Sequence, residues 1–336
     1  MRIATLFNTN MTNLQPTSLA VRNEVKKFLE KHTKPGDHVL LAVSGGFDSL
    51  ALAHIVQSIR DELGIVVSAL SVDHALQEQS HIWTDKTVQE LKDFGILDAT
   101  SRRVQVDIDS PDGLEAAARI VRYQALQTYA AKIGAGAIVV AHTLDDQAET
   151  VLLRLAQGAS TQSIAAMRSI QGNVWRPLLN VRRADLRTYL RDLDIEAIDD
   201  PHNYDHRFTR VRVREELLPL LKEMLGKDVV NSLARTAQLA ALDSDTLDQL
   251  TDTSYQDVVI ASEVQCDRLR VELPAIQLRI LYRWLREIGS PRCSHEHVQG
   301  LLRLALENNL KGPVRVPGFE IQKDSGTLRA VRSTDG

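Results

Sequence analysis

Cysteine is nearly missing from this chain. Of 336 residues only Cys266 and Cys293 are cysteines. They lie far apart and lack zinc-type spacing, which argues against a cysteine-held metal and a disulfide framework. A reduced, cytoplasmic setting is the corresponding expectation. Long apolar runs are missing as well, so no segment is expected to span a membrane. The opening MRIATLFNTNMTNLQPTS has no apolar stretch behind a basic start, the mark of a secretory leader. Excess positive charge is also lacking. Lys and Arg number 40 against 44 Asp and Glu, a net charge of −4. That gives no overall pull toward nucleic acid, and such a role must rest on a local patch. Internal repeats and low-complexity tracts are not found.

What is present is ordinary for a globular protein: 43% hydrophobic and 25% charged residues. The length suits one large domain plus a smaller one. A local basic patch does exist. From Arg168 to Arg214 there are ten arginines against seven acids, whereas Asp243 to Glu263 has acids and no Lys or Arg.

The first half alternates strand and helix patterns. HVLLAV (38–43) is a buried-strand run. A helix follows over 48–63, stopped by Gly64. IVVSALSV (65–72) is the next strand and 77–94 the next helix. RRVQVDI (102–108) alternates like a strand. Asp112 and Glu115 have capping-box spacing at the start of a long helix that Gly134 ends. AIVVA (137–141) is a further strand, and 143–157 a helix. This order predicts an α/β fold with a doubly wound, mostly parallel sheet whose site lies at the carboxyl ends of the strands. The pattern then weakens. VWRPLL (174–179) is a strand or a loop, and 185–193 a short helix. From Val211 the chain reads as mainly helical, with a β-ribbon over 313–332. The expected division is a tail over 1–18, a catalytic domain over 19–215 and a smaller, mainly helical domain over 216–336.

The chemistry concentrates in Ser44, Gly45, Gly46, Phe47, Asp48 and Ser49, between a buried strand and a helix. Unpaired N–H groups at a helix start favour anions. Two glycines let the backbone approach a phosphate, and the Ser44 and Ser49 hydroxyls can add donors. Asp48 is out of place beside bare phosphate but fits a magnesium ligand, direct or through water. No Gly-Lys-Ser/Thr follows, so this is not a Walker A loop, nor is it GxGxxG. The competing explanation is a plain glycine-rich turn with an N-cap.

SGGFDS resembles the PP-loop of the ATP pyrophosphatases, which implies ATP cleavage between the α- and β-phosphates and adenylation of a substrate. Further segments narrow the resemblance: VDHALQEQS (72–80), GLEAAARIVRYQAL (113–126), AHTLDDQAETVLLRLAQGAS (141–160), RPLL (176–179) and DDPHNYDHRFTRVRVREELLPLL (199–221). Together with the loop they resemble the tRNA(Ile)-lysidine synthetases over about residues 38–221. The resemblance implies joining free L-lysine to C2 of the wobble cytidine of an isoleucine tRNA with a CAU anticodon, using ATP and Mg²⁺.

The remaining candidate residues follow. Glu115, Arg119 and Arg122 share one helical face. Arg119 suits a catalytic clamp on the α-phosphate or a carboxylate, although a surface ion-pair ladder explains the spacing equally well. Asp146 and Glu149 lie in the first turns of a helix. Alone they read as acids complementing the helix dipole. The resemblance implies instead that they bind the lysine ammonium. Asp145 reads as a cap. His74 and His142 each follow a strand, where they can face the nucleotide, though a lone histidine is more often structural. Arg207, Arg210, Arg212 and Arg214 suit RNA phosphate contacts, and a solvated helix face accounts for them nearly as well. A tRNA thiolase is disfavoured, because Cys266 and Cys293 lie outside the nucleotide segment and form no CxxC pair.

Overall fold

The structure is a computed structural model, described over residues 14–76, 79–110, 113–158, 160–197, 206–226, 228–290, 292–307, 310 and 312–333. The chain forms two compact units, Met1–Gln238 and Leu239–Gly336. Among the described residues no helix is long and apolar enough to cross a membrane.

The first unit begins with α1 (Pro16–His32), β1 (His38–Ala42), α2 (Phe47–Leu63), β2 (Val66–Asp73), α3 (Ser80–Asp93) and β3 (Ala99–Arg103). It continues through α4 (Leu114–Ile133), β4 (Ala137–Val139), α5 (Leu144–Ala156), the single turn α6 (Thr161–Ile164), and the short strands β5 (Ile170–Gln171) and β6 (Val174–Trp175). Then come α7 (Arg183–Asp192), α8 (Thr209–Arg212), a π-helical turn at Val213–Leu217, α9 (Leu218–Leu225) and α10 (Val229–Val258), whose residues from Leu239 on are counted in the second unit.

The sheet order is β3-β2-β1-β4-β6-β5, and every pairing is parallel except β5 with β6. The strands alternate because both faces are covered. Val39 and Leu41 pack with α1, α2, α3 and α7, while Leu40 joins Leu70, Ile138 and the α4 residues Leu126 and Ala130. Side chains at successive strand positions point to opposite faces, which is why HVLLA is apolar throughout. The winding reverses between β1 and β4. In open α/β sheets the crevice at such a switch point is where ligands bind. Here it sets the loop after β1 beside the start of α5.

The second unit has a sheet of order β7-β8-β11-β10-β9, from β7 (Val259–Ile260), β8 (Glu263–Gln265), β9 (Val314–Val316), β10 (Phe319–Asp324) and β11 (Thr327–Arg332). Its helices α11 (Cys266–Val271), α12 (Pro274–Glu287) and α13 (His295–Leu306) pack on it through Ile280, Trp284, Leu301, Ile321 and Leu328. The indole N–H of Trp284 donates to the Ser262 carbonyl at 2.8 Å, so this large side chain is buried without an unmet donor.

Several expectations change. RRVQVDI is not the strand: β3 is Ala99–Arg103, and Val104 onward lies beyond it. β3 is an edge strand whose last three residues are exposed, so its polar alternation does not mark a half-buried face. The terminal ribbon is real but belongs to a five-stranded sheet completed by the hairpin β7-β8. The expected tail over 1–18 ends in α1, whose Ser18 is buried, while residues 1–13 lie outside the described residues. The boundary expected at 215 falls within the first unit, because Val213, Leu218 and Val229 pack around Ala148 of α5. Asp112, expected as a cap, lies outside the described residues, and α4 begins after Gly113.

Helices α2 and α7 both start at the switch-point edge, and a buried polar pair ties them one to two turns further in. The His54 Nδ1 and the Tyr189 hydroxyl share a hydrogen bond at 2.9 Å, with Phe94 edge-on to the imidazole. Burial pushes the His54 pKa down from 6.5 to about 4. The folded state therefore holds the ring neutral, while the unfolded chain protonates it. Its contribution to stability is complete above pH 6.5 and is lost as pH falls from 6.5 toward 4, a loss on the order of 3 kcal/mol. We expect the urea midpoint to fall between pH 7.5 and pH 5, and His54→Gln to flatten that fall. An unchanged slope in the variant would remove His54 from the account.

Candidate active site

The loop Ser44–Ser49 forms as β1 runs into α2. Gly45 has φ +86°, a left-handed conformation that favours glycine. Gly46, the N-cap, has φ −73°, and a Cβ there would meet only the Ser44 Oγ at 3.8 Å. The protein itself thus leaves room beside Gly46, which is the room a phosphate needs to reach the helix N-terminus. The Ser49 hydroxyl donates to the Gly46 carbonyl at 2.9 Å and accepts from the Ser44 N–H at 3.2 Å. Ser49 therefore braces the loop from within. Phe47 packs against the core under the Arg187 guanidinium, 5.3 Å from its ring centroid.

Across the switch point, Thr143 caps α5. Its hydroxyl accepts from the Asp146 N–H, while Asp146 Oδ2 accepts from the Thr143 N–H at 2.8 Å and from its hydroxyl at 2.7 Å. The dipole explanation for Asp146 is thus partly correct, since one carboxylate oxygen completes a capping box. The other oxygen, Oδ1, faces the site. Asp145 is not the cap. It accepts from the Arg183 N–H at 2.8 Å and from Arg182 Nε at 3.3 Å.

The residue that joins the two halves is Arg183, the first residue of α7. Its Nε donates to Asp48 Oδ2 at 3.1 Å, its Nη2 to Asp146 Oδ1 at 2.9 Å and its Nη1 to Glu149 Oε1 at 3.1 Å. Glu149 is fully buried. It also accepts from Arg210 Nε at 2.8 Å and from Arg214 Nε at 2.8 Å. Arg210 and Arg214 share a helical face, so both point inward together. The π-helical turn directly after α8 is a local register shift of a kind often found at functional sites. Of the four arginines expected on RNA, Arg210 and Arg214 are thus committed to carboxylates. Arg212 is exposed, with a loose 3.6 Å pair to Glu216, and Arg207 is also exposed. The stretch DDPHNYD over 199–205 lies outside the described residues.

These contacts set the charges. Burial raises the Asp48 pKa to about 6, and Arg183 opposes the rise. Burial works against the Asp146 charge too, but Arg183 and Arg210 overcome it and hold this carboxyl well below its usual range. Burial disfavours the Arg183 cation, yet Asp146, Glu149 and Asp48 hold its pKa above the ordinary value. Asp48 Oδ1 is buried with no hydrogen-bond partner. An orphaned carboxylate oxygen next to a phosphate cradle suits Mg²⁺, which takes few protein ligands and completes its shell with phosphate oxygens and water.

A second set of cations lies near α4. Arg119 is exposed and rests over the Tyr123 ring at 5.0 Å. Burial, aided by Arg122, lowers the His74 pKa. Burial lowers that of His142 strongly, against Asp146 and with Arg119, Arg122 and Arg176 contributing. The Nδ1 atoms of His74 and His142 and the Nε atoms of Arg122 and Arg176 are buried without partners. Buried polar atoms without partners are rare in native proteins and mark places where a ligand or water belongs. The sequence placed Arg122 on a face with Arg119 without giving it a role, and it did not mark Arg176 or Arg183 as site residues. A signal existed for the last: Arg182 and Arg183 at a helix start oppose the helix dipole, which facing carboxylates would offset. A cavity of about 620 Å³ opens beside this network, lined in part by Glu149, Arg183, Arg214, Leu218, Lys222 and Val229.

The family model of the PP-loop domain matches residues 17–221. The chain is 38% identical over 330 residues to the tRNA(Ile)-lysidine synthase of Salinispora tropica, covering 96% of this chain and 98% of that one. It is 39% identical over 325 residues to that of Cutibacterium acnes, covering 95% and 98%. With the Thermobifida fusca protein of the same name it shares 39% over 311 residues, covering 92% and 95%. Among solved structures, the U34-tRNA thiolase NcsA from Methanococcus maripaludis, with its 4Fe-4S cluster, superposes with a TM-score of 0.55 at 16% identity, covering 67% of this chain and 78% of that one. That likeness concerns the fold alone.

The network makes a stability prediction. Glu149→Gln leaves three guanidiniums facing one fewer buried carboxylate, and should cost on the order of 3 kcal/mol in urea unfolding. Arg212→Gln, which breaks an exposed pair, should leave the midpoint where it was. Equal effects of the two substitutions would contradict the network as drawn.

Proposed function

The chain belongs to the tRNA(Ile)-lysidine synthase family, and on that footing we propose that it joins free L-lysine to C2 of the wobble cytidine of an isoleucine tRNA with a CAU anticodon. ATP is consumed, and AMP and pyrophosphate are released. The observation that carries this reading is the convergence of Asp48, from the phosphate loop, with Asp146 and Glu149, from α5, on a single guanidinium. A nucleotide and an amine held by these groups would lie within reach of one another.

In the first step the cytidine O2 attacks the α-phosphorus, and pyrophosphate leaves. The loop N–H groups at the start of α2 receive the phosphates, and Arg119 neutralises charge at the α-phosphate. Asp48 would hold Mg²⁺, which when bound would supply charge neutralisation during phosphoryl transfer. In the second step the lysine ε-amine forms a bond to C2. The C2–O2 bond breaks, AMP departs with the oxygen, and the amine loses its protons to water or a nearby base. Asp146 and Glu149 orient the ammonium before it is deprotonated. His74 and His142 are held neutral near pH 7 by burial, so they can hydrogen-bond the nucleotide without adding charge. Arg207 and Arg212, on the outside, are proposed to take RNA phosphates, together with the second unit. The two free cysteines, Cys266 and Cys293, fit a reducing cytoplasm.

The test is incorporation. The protein is incubated with ATP, Mg²⁺, labelled lysine and unmodified isoleucine tRNA bearing CAU. Label should enter the RNA, with stoichiometric AMP and pyrophosphate. Absence of label where ATP is bound would sink the proposal. Asp48→Ala should abolish pyrophosphate release while circular dichroism shows a folded chain, and full activity in that variant would show the metal assignment to be wrong.

A further inference from the structure

Arg183 occupies the position that the proposed reaction needs for an amine. Its guanidinium donates to Glu149 Oε1 and Asp146 Oδ1, the oxygens an ammonium would seek, and at once to Asp48 Oδ2 on the phosphate loop. We propose that Arg183 is a positioning residue that makes lysine binding depend on nucleotide. Its side chain screens Asp146 and Glu149 until phosphate oxygens beside Asp48 draw it away. This deepens the lysine-ligation reading and rests on it.

Asp48, Asp146 and Glu149 face Arg183, Arg210 and Arg214, three negative charges against three positive. Adding an ammonium would leave an unbalanced cation in a buried cluster, which is strongly unfavourable. One arginine must therefore change partners before an amine enters. Arg210 and Arg214 pair with α5 acids, and among the described residues neither makes a hydrogen bond or ion pair to Asp48. Arg183 touches both, so among these three it alone can pass from carboxylates to phosphates by rotating its side chain.

The main chain at Arg183 is anchored, which confines the movement to the side chain. Its N–H donates to Asp145. Leu186, Tyr189 and Leu190 of the same helix are buried in the core, and Tyr189 is tied to His54 of α2. The helix that begins with Arg183 is thus fixed to the helix that begins with the phosphate loop. A planar guanidinium with several donors matches phosphate as well as carboxylate. When it turns to phosphate, Asp146 Oδ2 remains held by Thr143, and Glu149 remains held by Arg210 and Arg214. The two acids are then oriented and have acceptor capacity for an ammonium.

Linkage makes this measurable, because coupling between two ligands is reciprocal. L-lysine is titrated calorimetrically into the full chain, with and without Mg²⁺ and the non-hydrolysable α,β-methylene analogue of ATP. In the wild type the nucleotide should tighten lysine by about tenfold or more, and lysine should tighten the nucleotide by the same factor. Arg183→Met should bind lysine more tightly than the wild type when nucleotide is left out, with the coupling reduced to near unity. Arg182→Met, which breaks the neighbouring pairs to Asp145 and Asp228, should keep the coupling. Should Arg183→Met fail to fold, Arg183→Lys takes its place, since an ammonium cannot span three acids, and it should weaken the coupling. Wild-type lysine affinity that is the same with and without nucleotide overturns the proposal, as does full coupling in the Arg183 variant. If lysine still enters tRNA in that case, ligation stands and only the role of Arg183 falls. No lysine binding under either condition, together with no label in RNA, removes both.

Discussion

The first unit is organised around an electrostatic problem: three carboxylates set close together under cover. Buried negative charges need opposite charges beside them, because desolvation otherwise makes them costly. The Arg183 guanidinium lies between Asp48, Asp146 and Glu149, and Arg210 and Arg214 complete the balance. Four separate chain segments depend on that balance: the loop into α2, the start of α5, the start of α7, and the turns around 210–214. Each brings a charge that only the others can neutralise.

The sheet explains why these segments meet. β1 and β4 are neighbours, and the winding reverses between them, so the segments leaving their carboxyl ends open a crevice. One segment brings the phosphate loop and the other brings α5 with its capping box. Helix α7 packs on the same face as α2, which delivers Arg183 to the crevice from the side. The turn at 213–217 then carries Val213 and Leu218 onto Ala148, and the same contact aims Arg210 and Arg214 at Glu149. Apolar packing and ion pairing act together there, since the helix that buries its valines also places its arginines.

Much of this was legible in the residues. The doubly wound order followed from apolar runs punctuated by glycine, and SGGFDS stood out because Asp48 makes little sense beside phosphate without a metal. Strand β3 was less legible. Its exposed residues alternate no more clearly than the loop after it, and an edge strand has only one neighbour to hold it. The hairpin β7-β8 was missed for a similar reason, as strands of two and three residues carry no period. The boundary at 215 was set by a charged stretch. Charge along the chain does not reveal whether the apolar residues between the charges are covered, and Val213 and Leu218 are.

The sequence by itself determined the inventory: a glycine-rich loop with one acid between a strand and a helix, two acids in the first turns of a helix, and an arginine-rich stretch without an overall basic charge. It determined these because loop chemistry, capping and helical spacing are local, each settled within about four residues. Only the tertiary structure decided which charges face one another. The pairing of Arg183 with Asp48 spans 135 residues, and that of Arg214 with Glu149 spans 65. No local rule carries such distances. They are fixed by the reversal of the sheet and by which helix faces are apolar, and that is why arginines that read as a surface for RNA turn out, in two cases of four, to hold the acids of the site.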